Sequence, residues 1–490
     1  IDDLRWTGYA SPQKAIVLVS AELPAEQRRS DIQMRLDRLI VNGRPSVPIF
    51  APHHDETPAR LRELGFNAAW IKDYTDLPGI AELGEAGIWS LATPPRGRVS
   101  GAAQNGTAVP SLVDFGPKYD GILGWYLGTR IPPGARDELT TQVRLIRAAD
   151  RLTQRPIIGD IGGLERSYSR LLDGIGLTRH PLQTAFSLHD YRQFLTQKRR
   201  LLRPGSFVTT WVQTEPEPNG NALPEPMPVI EPELIRQLAW TGLSAGARGI
   251  GYWKRTSFDD KFIGAREREL VIAITNQEIS LLEPWLASWT VLEHQRVAVP
   301  VEASPVKQSS KDFAGLNDAR KSRELARQQR VKSQSSTLPL ADDSNVIEMA
   351  IMTSPNGQLL VPLWYQKDAQ FVPGQMAAQS VDIVIPGVPD TATIWKVSTT
   401  GVNTVRRQPG FAGAKWGNIL RNRISQISDQ NAQLWYELAK EKLRRVQRVD
   451  AELQHMGHGI PDSPQLIARA NSHLALASER LRDGSNSAQG

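Results

Sequence analysis

Ile122-Leu123-Gly124-Trp125-Tyr126-Leu127-Gly128 is a short apolar run with aromatic residues near its end, and seven comparable runs lie between residues 47 and 253. A helix-like segment separates each run from the next. The runs end about 20 to 38 residues apart, which suits a strand, a crossover helix and two loops. The other seven runs are Val47–Ala51, Ala68–Asp73, Ile88–Thr93, Pro156–Asp160, Ala185–Asp190, Phe207–Glu215 and Gly249–Trp253.

Eight strands that alternate with helices predict an α/β fold, a parallel (β/α)8 TIM barrel whose interior is filled by side chains. A doubly wound open sheet is the alternative. It is disfavoured because no glycine-rich phosphate loop follows an early strand, and Gly162-Gly163 after Asp160 predicts only a turn.

The chain around the barrel divides into smaller units. Residues 1–45 predict an N-terminal β segment with one apolar strand, Ala15–Val19, and residues 46–290 predict the barrel itself. Residues 291–345 predict a linker with a basic, low-complexity insertion. We expect limited proteolysis to cut this insertion first, because it is rich in polar residues and poor in large apolar ones.

The C-terminal third changes character. Residues 346–417 place short runs of β-branched and polar residues between turn pairs, which predicts an antiparallel β-sandwich domain. Residues 418–490 predict C-terminal helices over Ile419–Leu453 and Pro464–Arg482. The apolar stripe of the first helix predicts docking on the body of the protein, and a surface for a protein partner is the alternative.

The composition excludes several classes of protein. Hydrophobic residues are 40% of the 490 and charged residues 22%, so the chain can bury real cores. No apolar run is long enough for a transmembrane segment. The absence of cysteine excludes disulfide scaffolds, cysteine-zinc sites and a thiol nucleophile. Most of the net charge of +6 lies between Lys307 and Lys332, which predicts a solvated segment and no nucleic-acid partner.

The active site of a parallel barrel lies at the C-terminal ends of its strands. The strand ends here carry aromatic, carboxylate, amide and imidazole side chains, a set that suits a carbohydrate, because rings stack on sugar faces and polar groups bind hydroxyls. The predicted substrate-binding residues are His53, Asp73, Trp125, Tyr126, His189, Trp211, Gln213 and Trp253.

These residues also have structural interpretations. A tryptophan on a strand can be a core residue, Asp160 can cap the following turn, and Glu215 can be an exposed residue of a proline-rich loop. The adjacent His53 and His54 face opposite sides of a strand, so at most one points inward. We therefore predict neither a metal site nor a cofactor.

The run Ile122–Gly128, together with Phe207–Glu215 and Ala245–Trp253, resembles the clan of (β/α)8 glycoside hydrolases of the β-galactosidase and cellulase type. Val41-Asn42-Gly43-Arg44-Pro45 is similar to the sequence motif that precedes such barrels. The resemblance covers about residues 40 to 290. It implies a nucleophilic glutamate at the end of the seventh strand, which corresponds to Glu215.

The resemblance also implies a general acid after the fourth strand, but Gly128-Thr129-Arg130 stands there without a carboxylate. Hydrolysis needs two carboxyl groups, about 5 Å apart for retention and about 6.5 to 9.5 Å for inversion. A second carboxylate would have to come from Asp160, Asp190 or Asp73.

Two functions remain open at this point. One is a glycoside hydrolase that uses Glu215 with Asp160 or Asp190, and the other is an inactive barrel that binds glycans or serves as a scaffold. The chain starts at Ile1 rather than methionine. This start and the predicted carbohydrate ligand together predict a secreted or periplasmic protein from which a signal peptide has been removed. A truncated reading frame is the alternative explanation of the start.

Overall fold

The structure of the chain is a computed structural model. It describes residues 32–94, 115–150, 153–184, 186–216, 229–298, 345–366, 392, 394–399, 401–406 and 414–482. The predicted strand at Ala15–Val19 and the basic insertion between Lys307 and Ser336 lie outside the described residues.

Three short strands open the described chain, and eight parallel strands then close into a barrel. The opening strands are β1 (Ile32–Arg35), β2 (Arg38–Val41) and β3 (Arg44–Ser46). The barrel strands are β4 (Ile49–Pro52), β5 (Ala68–Ile71), β6 (Trp89–Ala92), β7 (Ile122–Tyr126), β8 (Ile157–Asp160), β9 (Gly174–Gly176), β10 (Phe207–Gln213) and β11 (Gly249–Trp253). Each pairs with the next along the chain, and β11 pairs with β4, so the predicted barrel is confirmed.

Helices between the strands surround the barrel. They are α1 (Pro58–Glu63), α2 (Leu77–Glu85), α3 (Arg136–Ala149), α4 (Glu165–Tyr168), α5 (Leu188–Leu201), α6 (Pro232–Ser244) and α7 (Ala265–Leu286). Local sequence explains where several begin. Thr57 and Asp76 accept hydrogen bonds from the first turns of α1 and α2, each of which has a proline among its first two residues.

Side-chain alternation divides the apolar residues into two clusters. One fills the barrel interior and includes Phe50, Tyr126, Ile158 and Trp211. The other lies between the strands and the surrounding helices. Ile32, from the three-stranded opening sheet, belongs to the interior cluster, so this sheet closes the barrel at the end where the strands begin. The other end, where the strands finish, carries the loops that form the candidate site.

The rest of the described chain adds antiparallel sheets and two helices, which confirms the predicted fold class. The strands are β12 (Val291–Ala298), β13 (Asn345–Ser354), β14 (Gly357–Gln366), β15 (Ile394–Ser398) and β16 (Gly401–Arg406), and the helices are α8 (Ala414–His455) and α9 (Ser463–Arg482). β12 pairs with β13, so the segment predicted as a linker over 291–345 begins with a strand of this sheet. Among the described helices, none has a stretch long and apolar enough to span a bilayer.

The prediction of a strand over Ala185–Asp190 is wrong. The sixth barrel strand is β9, a segment of only three residues, Gly-Ile-Gly. Ser187 instead starts α5 with a capping box, in which its side chain and that of Asp190 each bind the other residue's backbone. β9 has little apolar signal because two of its three residues are glycines. Phe186 and Leu188, around the start of α5, give an apolar pattern like that of a strand.

Candidate functional site

Aromatic side chains fill the barrel interior below the ends of the strands. Trp211 donates its Nε1–H to the hydroxyl oxygen of Tyr126 over 2.7 Å, and both residues are fully buried. The rings of Trp70 and Trp253 lie 5.8 and 5.5 Å from that of Trp211, and both are only half-buried. The predicted aromatic surface at the barrel mouth is therefore formed by these two half-exposed indoles, while Tyr126 and Trp211 support them from below.

Asp160 is the carboxylate of the barrel interior. Its side chain has the same strand parity as Ile158, which places it on the inner face, and it is 1% exposed. The backbone N–H of Arg130 donates to Oδ2 over 3.2 Å. No group of the described residues makes a hydrogen bond of good geometry with Oδ1. Burial raises the pKa of Asp160 to about 6, against the opposing influence of the Thr178 hydroxyl and of Arg130.

A polar rim borders Asp160 and the half-exposed indoles. Arg130 Nη2 lies 3.4 Å from Nδ1 of His180, and the His180 ring is 6.1 Å from that of Trp253. On the opposite side Trp70 donates to the Thr93 hydroxyl over 2.8 Å. The mouth thus combines indole faces with a guanidinium, an imidazole, a hydroxyl and a carboxyl group.

Glu215 is held in a dense network of donors. One carboxylate oxygen accepts from the Arg268 guanidinium and, over 2.5 Å, from the Thr256 hydroxyl. The other accepts from the Arg255 backbone over 3.0 Å. Burial alone would raise its pKa, but Thr256, Arg268 and the backbone N–H groups outweigh burial and lower it. The arrangement fastens the loop after β11 to the end of β10.

Glu215 and Asp160 belong to separate networks, because their hydrogen-bond partners have no residue in common. The register aligns Asp160 with Gly176 and Gly176 with Thr209. Gln213, at the end of β10, lies four positions beyond Thr209, which is a rise of about 13 Å along the strand. Glu215 comes later still, so the register does not bring these two carboxylates to the same level of the barrel.

A second buried ion pair lies beneath the rim. Glu56, after β4, binds the Lys254 ammonium, after β11, and both side chains are completely buried. The backbone N–H groups of Phe258 and His54 also donate to Glu56, over 2.9 and 3.0 Å. Burial alone would raise the pKa of Glu56, yet Lys254 and these donors lower it to about 2. The pair ties the loops after the first and last barrel strands together.

Three other predicted binding residues lie at this end of the barrel with internal partners. Gln213 is fully buried and accepts from the Leu182 backbone over 2.9 Å. Asp73 is exposed and accepts from the backbone of Thr75. His53 is half-buried, with Nε2 2.9 Å from the carbonyl oxygen of Glu56.

Three predicted site residues lie away from the mouth. Trp125 faces the helices, where its Nε1–H donates to Asp150, because it has the opposite strand parity from Tyr126. His189 and Asp190 are on α5, where His189 Nε2 lies 2.9 Å from Glu348 of β13 and Asp190 caps the helix. Their placement at a strand end was wrong because the sixth strand was misassigned.

Four rim residues escaped the sequence analysis, namely Trp70, Thr93, Arg130 and His180. Trp70 could have been found, since it alternates with Ala68 on the inner face of β5. His180 follows β9, the strand that the sequence analysis missed, so no signal pointed to it. Within the described part of the chain, no group of three or more histidines and carboxylates is arranged to hold a metal ion.

Comparison with known proteins gives a fold likeness only. Neither a protein-family model nor a curated protein sequence matches the chain. A β-galactosidase from Rahnella sp. R3 is 12% identical, with a TM-score of 0.36 and coverage of 52% of this chain and 58% of that one. An exo-β-1,4-mannosidase from Opitutaceae bacterium strain TAV5 is 13% identical, with a TM-score of 0.29 and coverage of 43% and 52%.

A further similar structure is named as a synthase. A truncated 3-deoxy-D-arabino-heptulosonate 7-phosphate synthase from Thermotoga maritima is 13% identical, with a TM-score of 0.30, and 53% of this chain covers 94% of it. The chain spans about half of each glycosidase chain named above. The strand order itself confirms the predicted resemblance in barrel fold, and similarities at this level assign neither an activity nor a substrate.

Proposed function

We propose that this protein binds a carbohydrate at the C-terminal face of its barrel without hydrolysing it. One observation supports this most strongly: the inner-face carboxyl of Asp160, whose Oδ1 makes no hydrogen bond of good geometry with the described residues and has the Thr178 hydroxyl as its polar neighbour, shares the mouth with two half-exposed indoles. Indole faces stack on sugar rings, and a carboxyl group binds ring hydroxyls.

The lack of hydrolysis follows from the carboxylates. Glu215 is committed to Arg268 and the loop after β11, so it is poorly placed to act as a nucleophile. Asp160 has the raised pKa of a general acid, but it shares no contact with Glu215. Asp190 caps a helix outside the barrel. The two-carboxylate mechanism of glycosidases therefore lacks its pair.

Binding is tested on an array of plant, bacterial and animal oligosaccharides, followed by calorimetry with any oligosaccharide retained. Trp253→Ala should weaken binding about tenfold, the effect of losing about 1.4 kcal/mol of stacking. Trp435→Ala removes an exposed indole from α8, far from the mouth in sequence, and should leave the affinity unchanged. Equal losses in both variants, or no retained glycan, would contradict the proposal.

Hydrolysis is tested on the retained oligosaccharides and on a panel of p-nitrophenyl glycosides. We expect no turnover above that of buffer. Turnover that disappears in Asp160→Asn and in Glu215→Gln, while circular dichroism shows both variants folded, would establish the hydrolase instead.

A further inference from the structure

The strand alternation that directs Asp160 into the barrel also identifies a cation at the mouth. On β5, Ala68 belongs to the interior cluster and Trp70 packs against it. Lys72 comes two positions after Trp70, one residue past the end of the strand, so it continues the same inner face. Its side chain is exposed. Lys72 therefore stands at the barrel mouth, beside one of the two half-exposed indoles.

A second cation stands on the other side of the mouth. Arg130 follows β7, and its Nη2 lies 3.4 Å from Nδ1 of His180, which follows β9. Burial raises the pKa of Asp160, and the nearby charge of Arg130 acts in the opposite direction. β5 and β9 are four strands apart in the ring of eight, so Lys72 faces Arg130 and His180 across the mouth.

Lys72 also lies near His54, which follows β4. Burial, followed by the charges of Lys254 and Lys72, lowers the pKa of His54. The His54 ring is therefore neutral at neutral pH, and its buried Nε2 makes no hydrogen bond with the described residues. Lys72 has no carboxylate as an ion-pair partner in the described part of the chain. Its charge is therefore available to a ligand.

The carboxylates at this end of the barrel leave the mouth positive. Glu56 and Glu215 are each paired with a buried cation, so neither pair adds a net charge. Asp55 and Asp73 are exposed, and both have the strand parity opposite to that of the inner-face residues. Asp160 is the carboxylate that faces the interior. It contributes at most one negative charge against the two cations.

A cationic mouth bordered by indoles suits an anionic sugar better than a neutral one. Guanidinium and ammonium groups bind carboxylates and sulfates through charge-assisted hydrogen bonds, which are about twice as strong as neutral ones. A cleft with one sign of charge also attracts ligands of the opposite sign. The rings of Trp70 and Trp253 lie 5.8 and 5.5 Å from that of Trp211, so one oligosaccharide can contact both indoles.

We propose that the ligand of the barrel mouth is an anionic oligosaccharide. Its carboxylate or sulfate groups bind Arg130 on one side and Lys72 on the other, while its rings stack on Trp70 and Trp253. Asp160 lies between these contacts and binds a sugar hydroxyl, because an ionised carboxylate repels a second anionic group. This inference rests on the proposed carbohydrate binding and specifies the class of ligand.

The test compares ligands that differ in charge alone. Calorimetry at neutral pH measures the affinity for tetrasaccharides of galacturonate and of glucuronate and for a sulfated galactose tetrasaccharide. Each is paired with its neutral counterpart, made by reduction of the carboxyl groups or removal of the sulfates. We expect at least one anionic ligand to bind about tenfold or more tightly than its neutral counterpart. Uronates and sulfated sugars are thereby distinguished as the source of the charge.

Substitutions that remove one charge locate the contact. Arg130→Gln and Lys72→Gln should each weaken binding of the anionic ligand about tenfold and leave binding of a neutral sugar unchanged. Arg130→Gln keeps the backbone N–H that donates to Asp160. Arg144→Gln is the matched control, because Arg144 is an exposed arginine on α3, outside the barrel, and it should have no effect. Circular dichroism confirms that each variant is folded.

The outcomes separate this inference from the proposed function. Neutral sugars that bind as tightly as their anionic counterparts, with a loss in Trp253→Ala, would overturn the inference and leave carbohydrate binding in place. Absence of binding for every ligand of both kinds would overturn the proposed function and the inference with it. An effect of Arg144→Gln equal to those of the two mouth variants would show a general attraction to the protein surface, and would also overturn the inference.

Discussion

Replacement of Asp160 by asparagine should stabilise the protein at alkaline pH. Asp160 is 1% exposed, and burial raises its pKa from 3.8 to about 6. A difference of about two pKa units is worth about 3 kcal/mol between the two protonation states. Ionised Asp160 therefore lowers the free energy of unfolding by about 3 kcal/mol relative to a neutral group of the same shape. Asparagine is such a group, and it still accepts from the Arg130 backbone through its amide oxygen.

The effect has a definite pH window. Because the pKa of Asp160 is higher in the folded than in the unfolded state, the favourable contribution of the protonated form is complete below pH 3.8. It is lost as the pH rises through about 6. The advantage of Asp160→Asn should therefore be about 1.5 kcal/mol at pH 5 and about 2 to 3 kcal/mol at pH 8.

Urea unfolding at pH 5 and pH 8 measures both values, provided that the unfolding is a single cooperative transition. Asp73→Asn is the matched control, since Asp73 is an exposed aspartate at the same end of the barrel. The reasoning would be refuted if Asp160→Asn were less stable than the unsubstituted protein at pH 8. It would also be refuted if the gain in stability were the same at both pH values. Either result would mean that Asp160 is ionised and stabilised in the folded protein.

Three further predictions concern the buried carboxylates. Lys254→Met should lower the free energy of unfolding by about 3 to 5 kcal/mol, because it leaves the buried Glu56 charge without its cation. Urea unfolding of the double variant, Lys254→Met with Glu56→Gln, should show that much of this loss is recovered. Because the pKa of Glu56 is lowered to about 2, its ionised form should contribute stability that is lost as the pH falls from about 4.5 to 2. The protein and the double variant should therefore differ in the pH dependence of their stability over that range. Glu215→Gln and Arg268→Met should each lower the free energy of unfolding by about 2 kcal/mol. In a double-mutant cycle the two losses should not be additive, and additive losses would show that the ion pair is unimportant.

The strand–helix alternation predicted the barrel because each long strand has a distinct apolar signal. β10, for example, has seven buried residues in a row, and its predicted limits differ from the observed ones only at the C-terminal end. The C-terminal helices were predicted within a few residues for the same reason, since Leu434 and Leu438 repeat at helical spacing on a buried side. β9 failed because three residues with two glycines are too short to show any period.

The candidate site was predicted less completely than the fold. The sequence analysis placed the candidate site at the C-terminal ends of the strands, and Trp253 and Asp160 are both at that end. Which side chains point into the barrel could be assigned only once the strands were seen in the structure. Trp125 and Tyr126 are adjacent in β7, yet Trp125 faces the surrounding helices and Tyr126 faces the barrel interior. Arg130 and His180 are adjacent only because two loops meet in space, and no spacing in the sequence encodes that contact.

The environments of the candidate carboxylates lead to different roles. Glu215 has a low pKa because five donor groups surround it, and a carboxylate so well satisfied is a structural anchor rather than a nucleophile. Asp190 completes a capping box and acts within its own helix. Asp160 is buried, and its Oδ1 has the Thr178 hydroxyl as a neighbour but makes no hydrogen bond of good geometry with the described residues, a state that costs stability and that a better placed donor on a ligand would relieve. The energetic cost of Asp160 is therefore the reason to look for a ligand at the barrel mouth.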